Sequence, residues 1–225
     1  MASHRPGSPW VAAPEVPDNL SEAEDALADD ARLEAVRLSG AWVQESLEGV
    51  EISSSVVRGL RLTGSSIDGL HLNDVVVTDC ELSGVTLTAS IFRGVRFERC
   101  RMSGLVAAEL NARHVQMTDC QMDGAWFRMA SFVRCEFSGC DLRDADFYAA
   151  NLKDVRLLHS TLDNTEWSKA ALDNVALHGS SLDGLRGVKA LRRLVIGSDQ
   201  LLPLAIPILN SLGIVVDDAY LDSDD

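Results

Sequence analysis

The chain has 225 residues, of which 46% are hydrophobic and 24% charged, and its formal net charge is −14 at pH 7. This excess of acidic residues opposes direct binding to the phosphate backbone of nucleic acids. The sequence has neither an apolar run of membrane-spanning length nor a charged and then apolar amino terminus with a small-residue cleavage site. We therefore expect a cytoplasmic protein that does not associate with membranes.

The first thirty residues differ in composition from the rest of the chain. Residues 1–20 contain four prolines and few apolar residues, a composition typical of a flexible or extended arm. Residues 21–30 are acidic, and we expect a short helix there with Ser21 as its N-cap. Residues 1–30 are thus predicted to form an arm outside the main fold.

A period of five residues dominates the middle of the sequence. Every fifth residue from Leu47 to Leu182 is apolar, which gives twenty-eight consecutive matches. Five is neither the 3.6-residue period of a helix nor the two-residue period of a flat strand, so the chain must turn at regular intervals, as repeat proteins do. Seven predicted core positions carry aromatic side chains: Phe92, Phe97, Phe127, Phe132, Phe137, Phe147 and Trp167.

Two further patterns keep the same register. The residue two places before each central apolar residue is uncharged from Val50 to Leu185, and it is usually small. All eleven glycines between residues 47 and 186 fall two places after a central residue, where a turn needs backbone freedom. Two positions of each unit are therefore predicted to point inward and three outward.

The pattern is clearest in three consecutive units: Cys140-Asp141-Leu142-Arg143-Asp144, Ala145-Asp146-Phe147-Tyr148-Ala149 and Ala150-Asn151-Leu152-Lys153-Asp154. These units resemble those of pentapeptide-repeat proteins, whose consensus is roughly A(D/N)LXX. The resemblance covers residues 31–186, with one residue missing before Leu47, which predicts a bulge or an irregular first coil. It implies an all-β solenoid, a right-handed quadrilateral β-helix with four units in each coil.

The cysteines fall at inward positions. Cys80, Cys100, Cys120 and Cys140 are one coil apart and should stack in a row, with Cys135 in the next lane. Four ligands in a straight line do not form the tetrahedron that zinc requires, so we expect these side chains to fill the core. The sequence predicts no metal site and no cofactor.

The five-residue period ends near Gly187, and residues 187–225 are predicted to form a strand at Leu194-Val195-Ile196 and then a helix that caps the solenoid. This helix should run from Ser198 to Gly213 and be kinked or divided by its two prolines. Its apolar residues occupy more than one face, so it should either plug the last coil deeply or also form a homodimer. The residues concerned are Leu201, Leu202, Leu204, Ile206, Ile208, Leu209 and Leu212.

The sequence offers no pattern of residues typical of an enzyme. Its histidines are scattered, and no nucleophile, metal-binding spacing or glycine-rich phosphate loop accompanies them. We therefore predict a non-enzymatic protein that works through its surface. The five histidines are His4, His71, His114, His159 and His178.

Stacking outward residues twenty apart predicts two surfaces of interest. One is a basic stripe interrupted by carboxylates, for which we expect a solvated mixed face rather than a nucleic-acid site. The stripe contains Arg93, Arg96, Arg113, Arg134, Lys153 and Arg156.

The second surface carries an outward tryptophan beside a tyrosine and several acids, a composition that favours contact with a partner protein. The alternative is that Trp126 lies flat against its own neighbours, with Arg128 over Tyr148 as a local cation–π pair. The candidate partner-binding residues are Trp126, Arg128, Asp144, Asp146, Tyr148, Asp163 and Glu166.

The resemblance also suggests a partner. Family members that confer fluoroquinolone resistance are acidic dimeric rods that resemble B-DNA and bind DNA gyrase, and an acidic rod complements a basic DNA saddle. Here residues 47–186 carry nineteen acids and fourteen bases, so much of the acidity lies in the ends. The termini are similar to those of uncharacterised bacterial members. The sequence thus leaves open a modulator of gyrase or topoisomerase and a scaffold that binds an unrelated protein.

Overall fold

The computed structural model describes residues 10–23, 27–41 and 45–214. In these residues the chain forms a parallel β-solenoid, the right-handed quadrilateral β-helix, followed by one α-helix. The strands are β1 Ser21–Ala23, β2 Arg32–Glu34, β3 Val36–Ala41, β4 Ser46–Glu48, β5 Glu51–Arg61, β6 Ser66–Asp68, β7 His71–Thr78, β8 Thr86–Thr88, β9 Ile91–Glu98, β10 Asn111–Thr118, β11 Ser131–Ser138, β12 Asn151–Leu158, β13 Ala171–Ala176 and β14 Leu194–Val195.

Residues twenty apart pair with one another along the rod. Asn111 of β10 pairs with Ser131 of β11, which pairs with Asn151 of β12. The pairing is parallel throughout, and single bridges continue the same offset on the sides of the coil that have no long strand. Each coil therefore contains four units of five residues, and equivalent positions stack at the roughly 4.8 Å spacing of neighbouring strands.

A left-handed backbone conformation recurs two places after each central residue. Gly69 has φ of +69°, as expected for glycine, but Asp74, Asp144 and His159 adopt φ of 55°, 58° and 49° at equivalent positions. Asparagine, aspartate and histidine tolerate this region better than most residues do. The turn is thus imposed by the fold, and glycine is one of several residues that satisfy it.

The core changes in character along the rod. In the carboxyl-terminal half, the Phe147 ring stacks on Trp167 at 4.5 Å and on Phe127 at 5.3 Å between centroids. In the other half the central residues are mainly aliphatic and surround an apolar cavity of about 70 Å³ that extends from Leu27 to Phe127. All seven aromatic residues predicted for the core are buried: Phe92, Phe97, Phe127, Phe132, Phe137, Phe147 and Trp167.

The amino-terminal segment lies against the rod. Residues 10–20 form neither helix nor strand, Val11 is buried, and β1 pairs in parallel with β3. The predicted helix over residues 21–30 is therefore wrong, because the backbone groups of residues 21–23 join the open edge of the sheet and residues 27–30 form a loop that ends in a turn. Residues 24–26 lie outside the described residues. The first coil is irregular, with a register shift between Ser39 and Ala41.

The carboxyl-terminal cap uses a buried glutamine. The Gln200 side chain donates from Nε2 to the carbonyls of Leu177 and Ser180, at 2.5 and 2.6 Å, and accepts from the Gly197 N–H at 2.8 Å. The Ser180 carbonyl has no further coil to pair with, and the Leu177 carbonyl accepts this bond in addition to the one from the Ser180 N–H. Gln200 thus closes this end of the rod by hydrogen bonding.

The helix α1, Leu201–Ser211, follows at once. It is not divided as predicted, because Pro203 lies in the first turn, where the missing N–H costs little, and Pro207 is accommodated within one continuous helix. It also does not plug the last coil deeply: Leu204 is buried, whereas Leu202 is 79% exposed. Five further apolar residues on or just after the helix are exposed: Leu201, Ile206, Ile208, Leu212 and Ile214. Leu209 is half-buried.

Within the described residues, no helix has both the length and the apolar character needed to cross a membrane.

Removal of one ring from the aromatic stack is expected to destabilise the protein strongly. Phe127→Ala should lower the free energy of unfolding by about 3–5 kcal/mol, because it removes a fully buried ring and leaves a cavity. Guanidinium unfolding followed by circular dichroism would measure the loss. Met129→Ala, two residues away and outward, is the matched control and should change stability by less than about 0.5 kcal/mol; equal losses in both variants would contradict this account of the core.

Candidate interaction surface

Trp126 is held outward by the residues on either side of it. Ala125 and Phe127 both point into the core, so the intervening side chain must face solvent, and it is 50% exposed. Backbone bridges join Trp126 to Asp146 and Asp146 to Glu166. The ladder therefore stacks these three positions in one outward column.

Arg128 connects the members of this surface. Its Nε donates to Asp146 Oδ2 at 2.6 Å, and its guanidinium carbon lies 5.4 Å from the ring centroid of Trp126 and 5.6 Å from that of Tyr148. Asp146 is only 8% exposed, and its other oxygen accepts the Tyr148 N–H at 2.8 Å. A carboxylate fixed on both oxygens orients the arginine, so the two rings and the cation form one preorganised cluster.

Two residues of this surface were not predicted from the sequence. Met129 is 52% exposed next to Arg128, and Lys169 places Nζ 5.0 Å from the Tyr148 ring centroid. Both occupy the left-handed turn position, where the side chain must project outward. The sequence did contain one indication of this, because a methionine at a turn position that glycine often occupies in this chain must have an outward side chain. We name Trp126, Arg128, Met129, Asp146, Tyr148 and Lys169 the Trp126 surface.

The other predicted acids belong to the surroundings of this surface. Glu166 accepts the Ser168 N–H at 2.6 Å and lies 3.8 Å from Arg186. Asp163 accepts the Asp183 N–H at 3.0 Å from the next coil. Asp144 is exposed at the preceding turn, on the adjacent side of the coil. The structure thus brings together Trp126, Arg128, Asp146 and Tyr148, continues their column with Glu166, and directs Asp163 elsewhere.

The cysteines are part of the hydrophobic core. All five cysteines are buried free thiols, and the Cys80 thiol donates to the Thr78 carbonyl at 3.2 Å. Burial raises the pKa of Cys135 to about 12, which keeps this thiol protonated and unreactive at neutral pH. Among the residues that the structure describes, no three or more His, Cys, Asp or Glu side chains converge as a metal site.

Comparison with known proteins identifies the family. A model described as pentapeptide repeat region matches residues 113–186, and one described as pentapeptide repeats (8 copies) matches residues 65–104 and 80–119. Together these matches extend over more than half of the chain. The chain belongs to the pentapeptide repeat family. No curated protein matches it.

Similar solved structures come from several sources. Trypsin-treated QnrB1, a plasmid-mediated fluoroquinolone resistance protein, is 16% identical, with 83% of this chain and 99% of that chain covered and a TM-score of 0.37. HetL from the cyanobacterium Nostoc sp. strain PCC 7120 is 18% identical, with 74% and 87% covered and a TM-score of 0.31. A pentapeptide repeat protein from the Arabidopsis thaliana thylakoid lumen is 21% identical, with 47% and 71% covered and a TM-score of 0.38.

Trp126→Ala should leave thermal stability nearly unchanged, within about 0.5 kcal/mol, because the side chain is half exposed and the core beneath it is complete without it. Thermal unfolding monitored by circular dichroism gives the comparison with the parent protein. A loss as large as that expected for Phe127→Ala would mean that Trp126 is a packing residue rather than a contact residue.

Proposed function

We propose that this protein is a non-enzymatic interaction rod in the cytoplasm that binds a protein partner through the Trp126 surface. The supporting observation is the cluster of Trp126, Arg128 and Tyr148, fixed by Asp146 and exposed with Met129 beside it. Tryptophan, tyrosine and arginine are the residues most enriched at energetic hot spots of protein interfaces. Because Asp146 already holds the arginine, little side-chain freedom remains to be lost on binding.

The Trp126 surface is expected to carry the affinity for this partner. Immobilised full-length protein should retain a partner from cell extract that Trp126→Ala retains at least tenfold less, as measured by quantitative mass spectrometry. Arg101→Ala is the matched control, since Arg101 is exposed on another side of the coil and pairs only at 3.8 Å with Glu81. The same captured proteins and amounts with all three baits would overturn this function.

A second candidate function is modulation of DNA gyrase or another type II topoisomerase by a DNA-mimicking homodimer, linked to fluoroquinolone resistance. The observation that favours it is α1, whose apolar residues Leu201, Leu202, Ile206 and Leu212 face solvent and would be covered by a second copy. Against it stands the charge of the rod, since nineteen acids and fourteen bases in residues 47–186 give only a weak net acidity. Mimicry would then depend on local acidic columns more than on net charge.

Dimerisation and gyrase inhibition are expected to depend on the same helix. Leu202→Asp should convert a dimer to a monomer in sedimentation equilibrium, because it places a charge at the most exposed of these apolar residues. Inhibition of gyrase supercoiling by the purified protein should fall in parallel. A parent protein that is monomeric at high concentration excludes the dimer, and no inhibition at large molar excess excludes the gyrase function.

A further inference from the structure

Residues 10–20, which we call the arm, lie against one side of the rod. Their contacts show which chemical groups this side can bind. The Trp10 ring lies 3.8 Å from the guanidinium carbon of Arg156, at cation–π distance, and Val11 is buried. Further along, the Glu15 N–H donates to Asp74 Oδ1 at 3.3 Å. The arm therefore contacts the rod through an aromatic side chain, an aliphatic side chain and its backbone.

The arm runs along the rod rather than around it. Asp74 lies in β7 and Arg156 in β12, four strand spacings apart, which is about 19 Å. The five residues from Trp10 to Glu15 reach about 17 Å when fully extended. The arm must therefore be almost fully extended and must pass across β9, β10 and β11.

These strands form a local basic region on an otherwise acidic rod. Strands β9 to β12 carry six bases and three acids, whereas residues 47–186 as a whole carry an excess of acids. Residues 10–23 carry three acids and no base. The six bases are those of the basic stripe predicted from the sequence: Arg93, Arg96, Arg113, Arg134, Lys153 and Arg156. Two of them already lie near a carboxylate of the rod, since Arg96 is 3.8 Å from Glu98 and Arg156 is 3.8 Å from Glu136. The remaining excess of bases favours an acidic segment on this side.

The arm does not satisfy all of the groups on this side. Arg96 Nε and His114 Nδ1 are shielded from solvent and have no hydrogen-bond partner among the described residues. Beside Trp10 lies a groove of about 480 Å³, lined in part by Arg156, His159 and His178. Polar groups left without partners weaken the attachment of the arm, and the groove leaves room for a larger ligand.

We propose that this side of the rod, from Asp74 to His178, is a recognition surface for an extended acidic peptide segment with an aromatic side chain, supplied by a partner protein. The arm occupies the surface in cis and competes with the partner. Because the arm is tethered by β1, its effective concentration is high, and a partner segment binds only when its own contacts exceed those of the arm. This surface is separate from the Trp126 surface, which lies on another side of the coil, so either assignment can fail without the other.

The test uses the full-length protein and a fluorescent peptide with the sequence of residues 8–22. A released variant, Trp10→Ala with Val11→Asp, removes the two side chains of the arm that contact the rod most closely. We expect the released variant to bind the peptide at least tenfold more tightly than the parent does in fluorescence anisotropy. Adding Arg156→Ala should reverse this gain at least tenfold, whereas Arg101→Ala, the matched control, should not.

Three outcomes would overturn the proposal. One is a released variant that melts like the parent yet binds the peptide no better, since the arm would then not compete for the surface. Another is an equal effect of Arg156→Ala and Arg101→Ala, which would reduce binding to general charge attraction. The third is equal binding of a peptide with the same composition in scrambled order. Thermal melts of each variant establish that the fold is retained, and Val11→Ala replaces Val11→Asp if the charge impairs folding.

Discussion

The parallel backbone ladder between residues twenty apart is the constraint on which the rest of this rod depends. It aligns each position with its equivalent in the next coil, so side chains of the same character stack on one another from end to end. The left-handed residue in every unit keeps the coil closed, even where aspartate or histidine must adopt that conformation. Since each coil contacts only its neighbours, the ends need separate solutions: β1 and β2 at one end, and Gln200 with α1 at the other.

The same ladder explains why large apolar groups can be left on the surface. The core under the Trp126 surface is completed by Phe127, Phe147 and Trp167, which stack among themselves and require nothing from outside. This core is complete without Trp126, which is half exposed, and Asp146 holds Arg128 beside it through a hydrogen bond at 2.6 Å. The exposed face of α1 has a similar origin: Gln200 and Leu204 cover the last coil, and the exposed apolar residues of α1 are not needed for this purpose.

The parts of the molecule that could be predicted from the sequence are those in which residue spacing determines contact. The five-residue period was sufficient for the solenoid, and stacking positions twenty apart placed Trp126 and Asp146 in one column. The bond from Arg128 to Asp146 joins neighbouring columns, and its existence depends on side-chain rotamers that no spacing determines. Trp10 and Arg156 are in contact but lie far apart in the sequence, so no local pattern connects them. The strand at Ser21–Ala23 was missed because it pairs with β3 across an irregular first coil, outside the regular register.

Because each coil has four equal units, the sequence position of a surface determines both the side of the coil on which it lies and its position along the axis of the rod. Removal or insertion of one unit of five residues between two surfaces would keep the core pattern intact and rotate one surface by a quarter turn relative to the other. A change of twenty residues would alter only their separation along the axis, by one strand spacing of roughly 4.8 Å. From its contact with Asp74 the arm reaches Arg156 across four such spacings, so its fit depends on the number of intervening units. A change in the number of units in this stretch would therefore move Arg156 away from Trp10, although the core pattern would be retained.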